Sequence, residues 1–191
     1  MKRIGVLALQ GDFEAHRKAL EEAGAEAVEV RSANELQTVA GLIIPGGEST
    51  TMLKLLALEN LFEPLRSYGE KHPIFGTCAG AILLAKDVSH PAQESLGLVD
   101  IGVERNGYGR QIDSRVVHLT PGPELQETDE MEAVFIRAPI IRRMGDGVRV
   151  LARYNGDPVL LAEGKHLVAT FHPELTQDRR IHRLFVESVP S

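Results

Sequence analysis

Residues 73–85 read Pro-Ile-Phe-Gly-Thr-Cys-Ala-Gly-Ala-Ile-Leu-Leu-Ala, and this stretch is the most informative part of the chain. An apolar run leads into Gly-x-Cys-x-Gly and a second apolar run follows, which predicts a strand, a sharp turn and a helix. Gly76 and Gly80 lack a Cβ atom, so the chain can fold tightly on both sides of Cys78. Free N–H groups at the start of the helix would favour the thiolate form of the cysteine. The pattern therefore predicts a nucleophile elbow, although a lone cysteine is also commonly a small buried apolar residue.

A second segment supplies partners for a nucleophilic cysteine. Residues 168–174 read Val-Ala-Thr-Phe-His-Pro-Glu, a strand-like run that ends in a histidine and a carboxylate. His172 could take the thiol proton as a general base and return it as a general acid. Glu174 could hold the imidazole in the required tautomer, and Pro173 would fix a bend between the two side chains. The alternative is a histidine at a strand end followed by a solvent-facing glutamate.

A third segment, residues 42–51, reads Leu-Ile-Ile-Pro-Gly-Gly-Glu-Ser-Thr-Thr. It predicts a strand over Leu42–Pro45, a Gly46-Gly47 turn and a helix capped by Ser49 or Thr50. Backbone N–H groups of such a turn can stabilise an oxyanion beside the cysteine. A phosphate-binding loop is disfavoured because no Gly-Lys-Ser/Thr follows at the needed spacing. A plain turn remains the simpler alternative.

Strands alternate with helices along the first half of the chain. The predicted strands are Ile4–Gln10, Ala27–Arg31, Leu42–Pro45 and Ile74–Thr77, and the predicted helices are Phe13–Glu22, Met52–Leu58, Phe62–Lys71 and, at the C-terminus, Asp178–Val189. Later strand-like runs suggest an antiparallel extension: Ile112–Leu119, Ala133–Arg137, Arg149–Tyr154 and Val159–Ala162. Glu163-Gly164-Lys165 is typical of a hairpin turn into a further strand over Leu167–Thr170. We therefore expect an α/β fold with three layers, a mostly parallel central sheet, helices on both faces and an antiparallel extension.

Composition limits the function classes. The chain has 191 residues, which suits one domain, and its 43% apolar and 25% charged residues are ordinary globular values. Its single cysteine excludes an internal disulfide and fits a reducing compartment, so a cytoplasmic location is expected. The net charge of −6 argues against nucleic acid or an anionic membrane as the main partner. The apolar run over residues 4–9 is too short for a signal peptide or a membrane span and is interpreted as a strand.

The three motifs, in this order along the chain, resemble those of the class I (triad-type) glutamine amidotransferases. Two segments narrow the resemblance to the glutaminase subunits of pyridoxal 5′-phosphate synthase: residues 46–51, Gly-Gly-Glu-Ser-Thr-Thr, and residues 103–111, Val-Glu-Arg-Asn-Gly-Tyr-Gly-Arg-Gln. Residues 4–11, Ile-Gly-Val-Leu-Ala-Leu-Gln-Gly, are also similar to that subunit. The resemblance covers essentially the whole chain and implies a flavodoxin-like, class I glutamine amidotransferase-like fold in a single domain over residues 1–191.

The resemblance implies that the chain hydrolyses L-glutamine to L-glutamate and ammonia with a triad of Cys78, His172 and Glu174. The backbone N–H groups of Gly47 and Ala79 would hold the oxyanion. The residues implied to line the glutamine pocket are Gly46, Gly47, Glu48, Arg105, Ile136 and Arg137.

The resemblance also implies a partner. Ammonia would pass to a TIM-barrel synthase subunit, assembled as a dodecameric core, that joins it with a pentose phosphate and a triose phosphate to make pyridoxal 5′-phosphate. Gln10 and Gly11 are expected at the end of the first strand, where they could contact both that subunit and the Gly-Gly turn. Glutaminase activity is expected to depend on the partner, and no cofactor or metal is expected.

Three alternatives compete with this interpretation. An amidotransferase subunit could serve another acceptor, such as imidazole glycerol phosphate or anthranilate synthesis, but Glu-Ser-Thr at residues 48–50 argues against it. A cysteine hydrolase of the dienelactone type would place its acid before its histidine, whereas Glu174 follows His172. A non-catalytic or redox module on this fold would carry histidine directly after the elbow cysteine, where this chain has Ala79.

Overall fold

A seven-stranded sheet lies between two layers of helices in the computed structural model, which describes residues 1–106, 114–125 and 129–191. The strands are β1 (Arg3–Leu7), β2 (Glu26–Val30), β3 (Gly41–Ile44), β4 (Ile74–Thr77), β5 (Ala85–Ser89), β6 (Val99–Glu104), β7 (Arg115–Leu119), β8 (Met131–Phe135), β9 (Ile140–Met144), β10 (Arg149–Tyr154), β11 (Asp157–Glu163) and β12 (His166–Ala169). The helices are α1 (Phe13–Glu22), α2 (Ala33–Leu36), α3 (Ser49–Leu58), α4 (Phe62–Lys71), α5 (Ala79–Leu84) and α6 (Arg180–Ser188). One-turn 3₁₀ helices span Pro123–Leu125 and Pro173–Leu175.

The strand order of the main sheet is β10-β11-β12-β4-β3-β1-β2. The five strands from β12 to β2 are parallel to their neighbours, whereas β10 and β11 pair antiparallel at one edge. The parallel part has the flavodoxin-like order, with β1 beside both β2 and β3. The expected mostly parallel sheet with an antiparallel extension is therefore confirmed.

Side chains alternate between the two faces of the sheet, as the pleat of a strand requires. Ile43 and Phe75 belong to a buried cluster that includes side chains of α1 and α6. Ile44 and Ile74, their neighbours in sequence, belong to a second cluster that includes side chains of α3, α4 and α5. Both faces are covered by helices, so the short central strands carry apolar residues at nearly every position.

The sequence correctly predicts the elements with a clear apolar pattern, but some strands of the second half of the chain were placed wrongly or missed. The predicted bounds of α1, α4, β4 and β10 agree with the structure, and β11 and β12 form the predicted hairpin. The runs assigned to β7 and β8 pair only with each other in the described part of the chain, so their predicted place in the sheet extension is wrong. A separate three-stranded sheet, β5-β6-β9, was not predicted. The predicted strand over Ile112–Leu119 begins outside the described residues.

The loops that follow the parallel strands carry the predicted site residues. Gln10 and Gly11 follow β1, the Gly46-Gly47 turn follows β3, Cys78 follows β4 and His172 follows β12. The first strand ends at Leu7, so Gln10 and Gly11 lie in a turn beyond it rather than at its last position. Because these strands are parallel, all four loops meet at the carboxyl edge of the sheet, where such folds bind ligands. Within the three described ranges, no helix is both long and apolar enough to cross a membrane.

Candidate active site

Cys78 occupies a strained position between β4 and α5. Its backbone angles are φ 50° and ψ −103°, a region that residues with a side chain seldom adopt. Its N–H donates to the carbonyl oxygen of Ala169 on β12 at 2.9 Å, which ties the elbow to the neighbouring strand. A Cβ atom on Gly80 would collide with the carbonyl oxygen of Ile44, and one on Gly76 would lie 2.5 Å from the Gly80 oxygen. The glycines thus permit the close approach that the elbow needs.

His172 and Glu174 form a buried pair at the end of β12. Nδ1 of His172 donates to Oε1 of Glu174 at 2.6 Å, since an ionised carboxylate can only accept. The 3₁₀ turn over Pro173–Leu175 folds the acid back towards the imidazole, as the proline predicts. The His172 N–H donates to the carbonyl oxygen of Val134 on β8 at 2.8 Å, which fixes the backbone at this point.

The imidazole of His172 interacts with both other members of the predicted triad. Burial by itself would lower the pKa of His172. Hydrogen bonds with the Cys78 sulfur, the larger contribution, and with Glu174 outweigh burial and raise the pKa of His172 to about 10. The ring is therefore poised to carry a proton at neutral pH, between a sulfur on one side and a carboxylate on the other.

The Gly46-Gly47 turn packs directly on this group. A Cβ atom on Gly46 would lie 2.5 Å from Cε1 of His172 and 3.4 Å from Cβ of Cys78. Gly47 has φ +149°, a conformation that favours glycine. The Gln10 side chain reaches the turn, because its Oε1 accepts the Glu48 N–H at 3.0 Å. The loop after β1 therefore lies against the Gly-Gly turn.

Gly11 also touches this turn. A Cβ atom on Gly11, which has φ +92°, would collide with the carbonyl oxygen of Gly46. Any side chain larger than hydrogen would therefore separate the loop after β1 from the turn after β3.

The start of α3 differs from the predicted cap. Glu48 occupies the position before the helix and makes no side-chain capping bond, so the predicted cap by Ser49 or Thr50 is wrong. The hydroxyls serve tertiary contacts instead: Ser49 Oγ donates to Gln93 Oε1 at 3.1 Å, and Thr50 Oγ1 accepts from Arg105 Nη2 at 2.9 Å. The second contact brings Arg105 beside the first turn of α3, next to Glu48.

The connection between β8 and β9 completes the surroundings of the sulfur. Sγ of Cys78 lies 3.7 Å from the carbonyl oxygen of Ile136. Arg137 follows with φ 45° and an exposed side chain. The structure thus brings Ile136 to the sulfur of Cys78, with Arg137 as its chain neighbour. Of the segment over residues 103–111 that carries the family resemblance, residues 107–111 lie outside the described residues.

His16 on α1 was not predicted and lies behind the acid. Its Nε2 is 3.3 Å from Oε2 of Glu174 and 3.1 Å from Oγ1 of Thr77, and its Nδ1 is 3.0 Å from Nε2 of His182 on α6. A lone histidine in an amphipathic helix does not indicate from sequence that its side chain will contact Glu174. Only the packing of α1 and α6 against the end of β4 reveals it.

Potential metal ligands overlap with this group. Among the described residues, Asp12, His172 and Glu174 place one ligand atom each within 4.8 Å of one another. His172 and Glu174 already share a hydrogen bond of 2.6 Å, and Asp12 is exposed. The donor set is therefore better explained by a histidine paired with its carboxylate than by a metal centre.

A strained cysteine beside a buried His–Glu pair, at the carboxyl edge of a flavodoxin-like sheet, defines the class of α/β cysteine hydrolases and amidotransferases. The model of the SNO glutamine amidotransferase family matches residues 6–191, and the chain belongs to that family. The family agrees with the resemblance drawn from the sequence motifs.

Known relatives match along nearly their whole length. The pyridoxal 5′-phosphate synthase subunit PdxT of Solibacter usitatus (strain Ellin6076) is 62% identical, over 99% of this chain and 100% of that protein. The PdxT of Koribacter versatilis (strain Ellin345) is 56% identical, over 98% of this chain and 95% of that protein. A solved structure described as a crystal structure of a glutamine amidotransferase superposes with a TM-score of 0.88 at 47% identity, covering 97% of each chain.

Glu174→Gln tests whether the buried acid supports the reaction. An amide can still accept from His172 but cannot stabilise the imidazolium by charge. We expect a folded variant whose kcat for glutamine hydrolysis is about 10- to 100-fold lower, a smaller loss than for a change at the nucleophile. Steady-state glutamate release with the synthase partner present measures this effect. Equal rates for wild type and Glu174→Ala would show that the acid has no part in the reaction.

Proposed function

We propose that this chain is a single glutamine amidotransferase domain that hydrolyses L-glutamine to L-glutamate and ammonia and passes the ammonia to the synthase subunit that makes pyridoxal 5′-phosphate. The observation that carries the proposal is the strained Cys78 beside the 2.6 Å His172–Glu174 pair, in a chain 62% identical to a pyridoxal 5′-phosphate synthase subunit. The reaction serves vitamin B6 biosynthesis.

The proposed reaction starts with attack of the Cys78 thiolate on the carboxamide carbon of glutamine. The oxygen of the tetrahedral intermediate takes the negative charge and is held by the N–H groups of Gly47 and Ala79. His172 then donates its proton to the nitrogen, the C–N bond breaks and ammonia leaves. A γ-glutamyl thioester to Cys78 remains.

Hydrolysis of the thioester completes the cycle. His172, now neutral, takes a proton from a water molecule, whose oxygen attacks the thioester carbon. The C–S bond breaks, glutamate leaves, and Cys78 and His172 return to their starting state. Glu174 stabilises the imidazolium in both halves of the reaction, which its 2.6 Å contact with Nδ1 supports.

The proposed glutamine pocket surrounds the sulfur. Gly46, Glu48, Ile136 and Arg137 come from the two loops that border Cys78, and the Arg105 guanidinium lies against the first turn of α3. A guanidinium suits the α-carboxylate of glutamine, and an acidic group or carbonyl oxygens suit its α-ammonium group. These complementary charges support recognition of a free amino acid.

The proposed partner is a TIM-barrel synthase subunit in a dodecameric core. Gln10 and Gly11 lie on the edge of the sheet that carries the nucleophile and contact the Gly46-Gly47 turn. A subunit that binds this edge can therefore influence the oxyanion site through two residues. We place the reaction in the cytoplasm, where a reducing environment keeps the thiol of Cys78 available.

A glutaminase assay tests this function most simply. Glutamate release is measured for the isolated chain, for the synthase subunit alone and for their mixture at matched concentrations. We expect appreciable turnover only in the mixture. Absence of glutamate release in a mixture shown to form a complex would contradict the proposed function.

A further inference from the structure

Glu174 has a second neighbour that the mechanism above leaves unused. Its Oε1 accepts from His172, whereas its buried Oε2 receives no hydrogen bond of good geometry within the described part of the chain. Nε2 of His16 lies 3.3 Å from Oε2, and both side chains are 0% exposed. A buried carboxylate oxygen without a donor is costly, so His16 is the group placed to satisfy it.

The protonation of His16 follows from its surroundings. Burial lowers the pKa of His16 well below its usual value, and electrostatic interactions with His182, His172 and Arg179 lower it further. The ring is therefore neutral at physiological pH and carries a single N–H. The nitrogen that holds this proton decides what His16 does for Glu174.

Both ends of the contact chain favour the same tautomer. With the proton on Nε2, the single N–H of His16 lies between Thr77 Oγ1 at 3.1 Å and Oε2 of Glu174 at 3.3 Å, and its Nδ1 accepts from Nε2 of His182 at 3.0 Å. With the proton on Nδ1, a lone pair would face the carboxylate oxygen instead. That arrangement would also force a proton onto Nδ1 of His182, an atom that is buried without a partner among the described residues. In the first arrangement, Nδ1 of His182 is a buried acceptor without a partner. In the second, it would be a buried donor without a partner, and a lone pair of His16 would also face the carboxylate oxygen of Glu174. The first arrangement therefore costs less free energy.

We propose that His16 is a positioning residue that holds Glu174 from behind, with His182 fixing the tautomer that makes this possible. This inference deepens the proposed function and rests on it. The side chains of α6, α1 and the 3₁₀ turn then form one polar chain that runs from His182 through His16 and Glu174 to His172. It ends at the sulfur of Cys78.

Thr77 gives His16 a second point of attachment. Nε2 of His16 lies 3.1 Å from Oγ1 of Thr77, the residue before the nucleophile, and Thr77 is 0% exposed. One imidazole thus contacts both the acid and the strand end that carries Cys78. A shift of His16 would change the position of the acid relative to the nucleophile, and such small misplacements are costly in rate.

Two substitutions of His16 separate positioning from packing. The side-chain nitrogen of glutamine can take the place of Nε2, whereas that of asparagine can take only the place of Nδ1. We expect His16→Asn, assayed in complex with the synthase subunit, to lower kcat roughly 10-fold with little change in KM for glutamine. His16→Gln should keep most of the activity. A merely structural role predicts similar losses in both variants, because each replaces a buried ring with a smaller amide.

A double-mutant cycle tests whether His16 acts through Glu174. In the Glu174→Gln background, the cost of His16→Asn should largely disappear, because the group that it positions is already impaired. An undiminished cost, or equal losses in His16→Asn and His16→Gln, would overturn the proposal.

Alkylation of Cys78 by iodoacetamide gives a readout that does not depend on glutamine. Cys78 is the only cysteine, so the rate at neutral pH reports on this thiol alone, and its pairing with His172 contributes to that rate. Slower alkylation in His16→Asn but not in His16→Gln supports the proposal even if no glutaminase activity is found, and equal rates in all three proteins contradict it. Should His16→Asn not fold, His182→Gln and His182→Phe provide the same comparison, since only glutamine keeps a donor to His16.

Discussion

Replacing Cys78 with alanine is expected to lower kcat for glutamine hydrolysis at least about 10³-fold, as loss of a nucleophile does, which corresponds to about 4 kcal/mol. The substitution removes only the sulfur. It adds no backbone strain, because Cys78 already has φ 50° and alanine is no more restricted there. The proposed oxyanion donors and His172 should stay in place, so any residual rate would measure what they achieve without a covalent intermediate. Steady-state glutamate release in the complex is the measurement.

Labelling provides the matched control for this variant. A glutamine-derived diazoketone should modify wild-type protein once, at Cys78, and should leave Cys78→Ala unmodified. The two proteins should bind the synthase subunit equally well, which separates loss of chemistry from loss of assembly. Near-normal glutaminase activity in the alanine variant would exclude the proposed covalent mechanism.

The second large effect concerns Gly47 and the control of activity by the partner. We expect the isolated chain to show little glutaminase activity and the complex to show a large rise in kcat, because only one orientation of the Gly46-Gly47 peptide would aim an N–H at the proposed oxyanion. Gly47→Ala should blunt this rise by about 10²–10³-fold, the usual cost of a missing oxyanion donor. Its Cβ atom would collide with the amide of Gln10, whose Oε1 now holds the Glu48 N–H.

Gly164→Ala is the matched control for backbone strain. Gly164 also has a positive φ, +55°, but it lies in the β11–β12 turn, at the opposite end of β12 from His172, and a Cβ atom there would meet open space. This variant should be activated like wild type, and both variants should remain able to associate with the partner. Full activity in the isolated wild-type chain would exclude the switch while leaving the role of Cys78 untouched.

The elbow and the parallel strands could be predicted from sequence because each rests on a local pattern. The apolar runs that end in glycine or proline mark β3 and β4, and the bounds of α1 and α4 follow from their apolar spacing. The strands β5 and β9 escaped prediction because their residues are largely exposed or charged. The six residues of β6, Val-Asp-Ile-Gly-Val-Glu, alternate between apolar and other residues, which is typical of a half-buried strand.

The contacts of His16, His182 and Ser49 around the site could not be predicted because they depend on distant parts of the chain. His16 and His182 are 166 positions apart, and nothing near either of them marks a histidine as different from any other in a helix. The Ser49 hydroxyl was expected to cap its own helix, yet it bonds Gln93, 44 positions away. Local patterns predict which loops carry the chemistry, whereas the partners of each side chain follow only from the packing of helices against the sheet.

Isotope transfer tests the central claim most directly. Glutamine labelled with ¹⁵N in its side-chain amide is given to the complex of this chain with the synthase subunit and the sugar phosphates that the synthase uses. The account predicts ¹⁵N in the ring nitrogen of pyridoxal 5′-phosphate with wild-type protein and none with Cys78→Ala, while ammonium chloride supports product formation with both. Equal ¹⁵N transfer by wild type and Cys78→Ala, or no transfer by wild type in a complex that is active with ammonium, would contradict it.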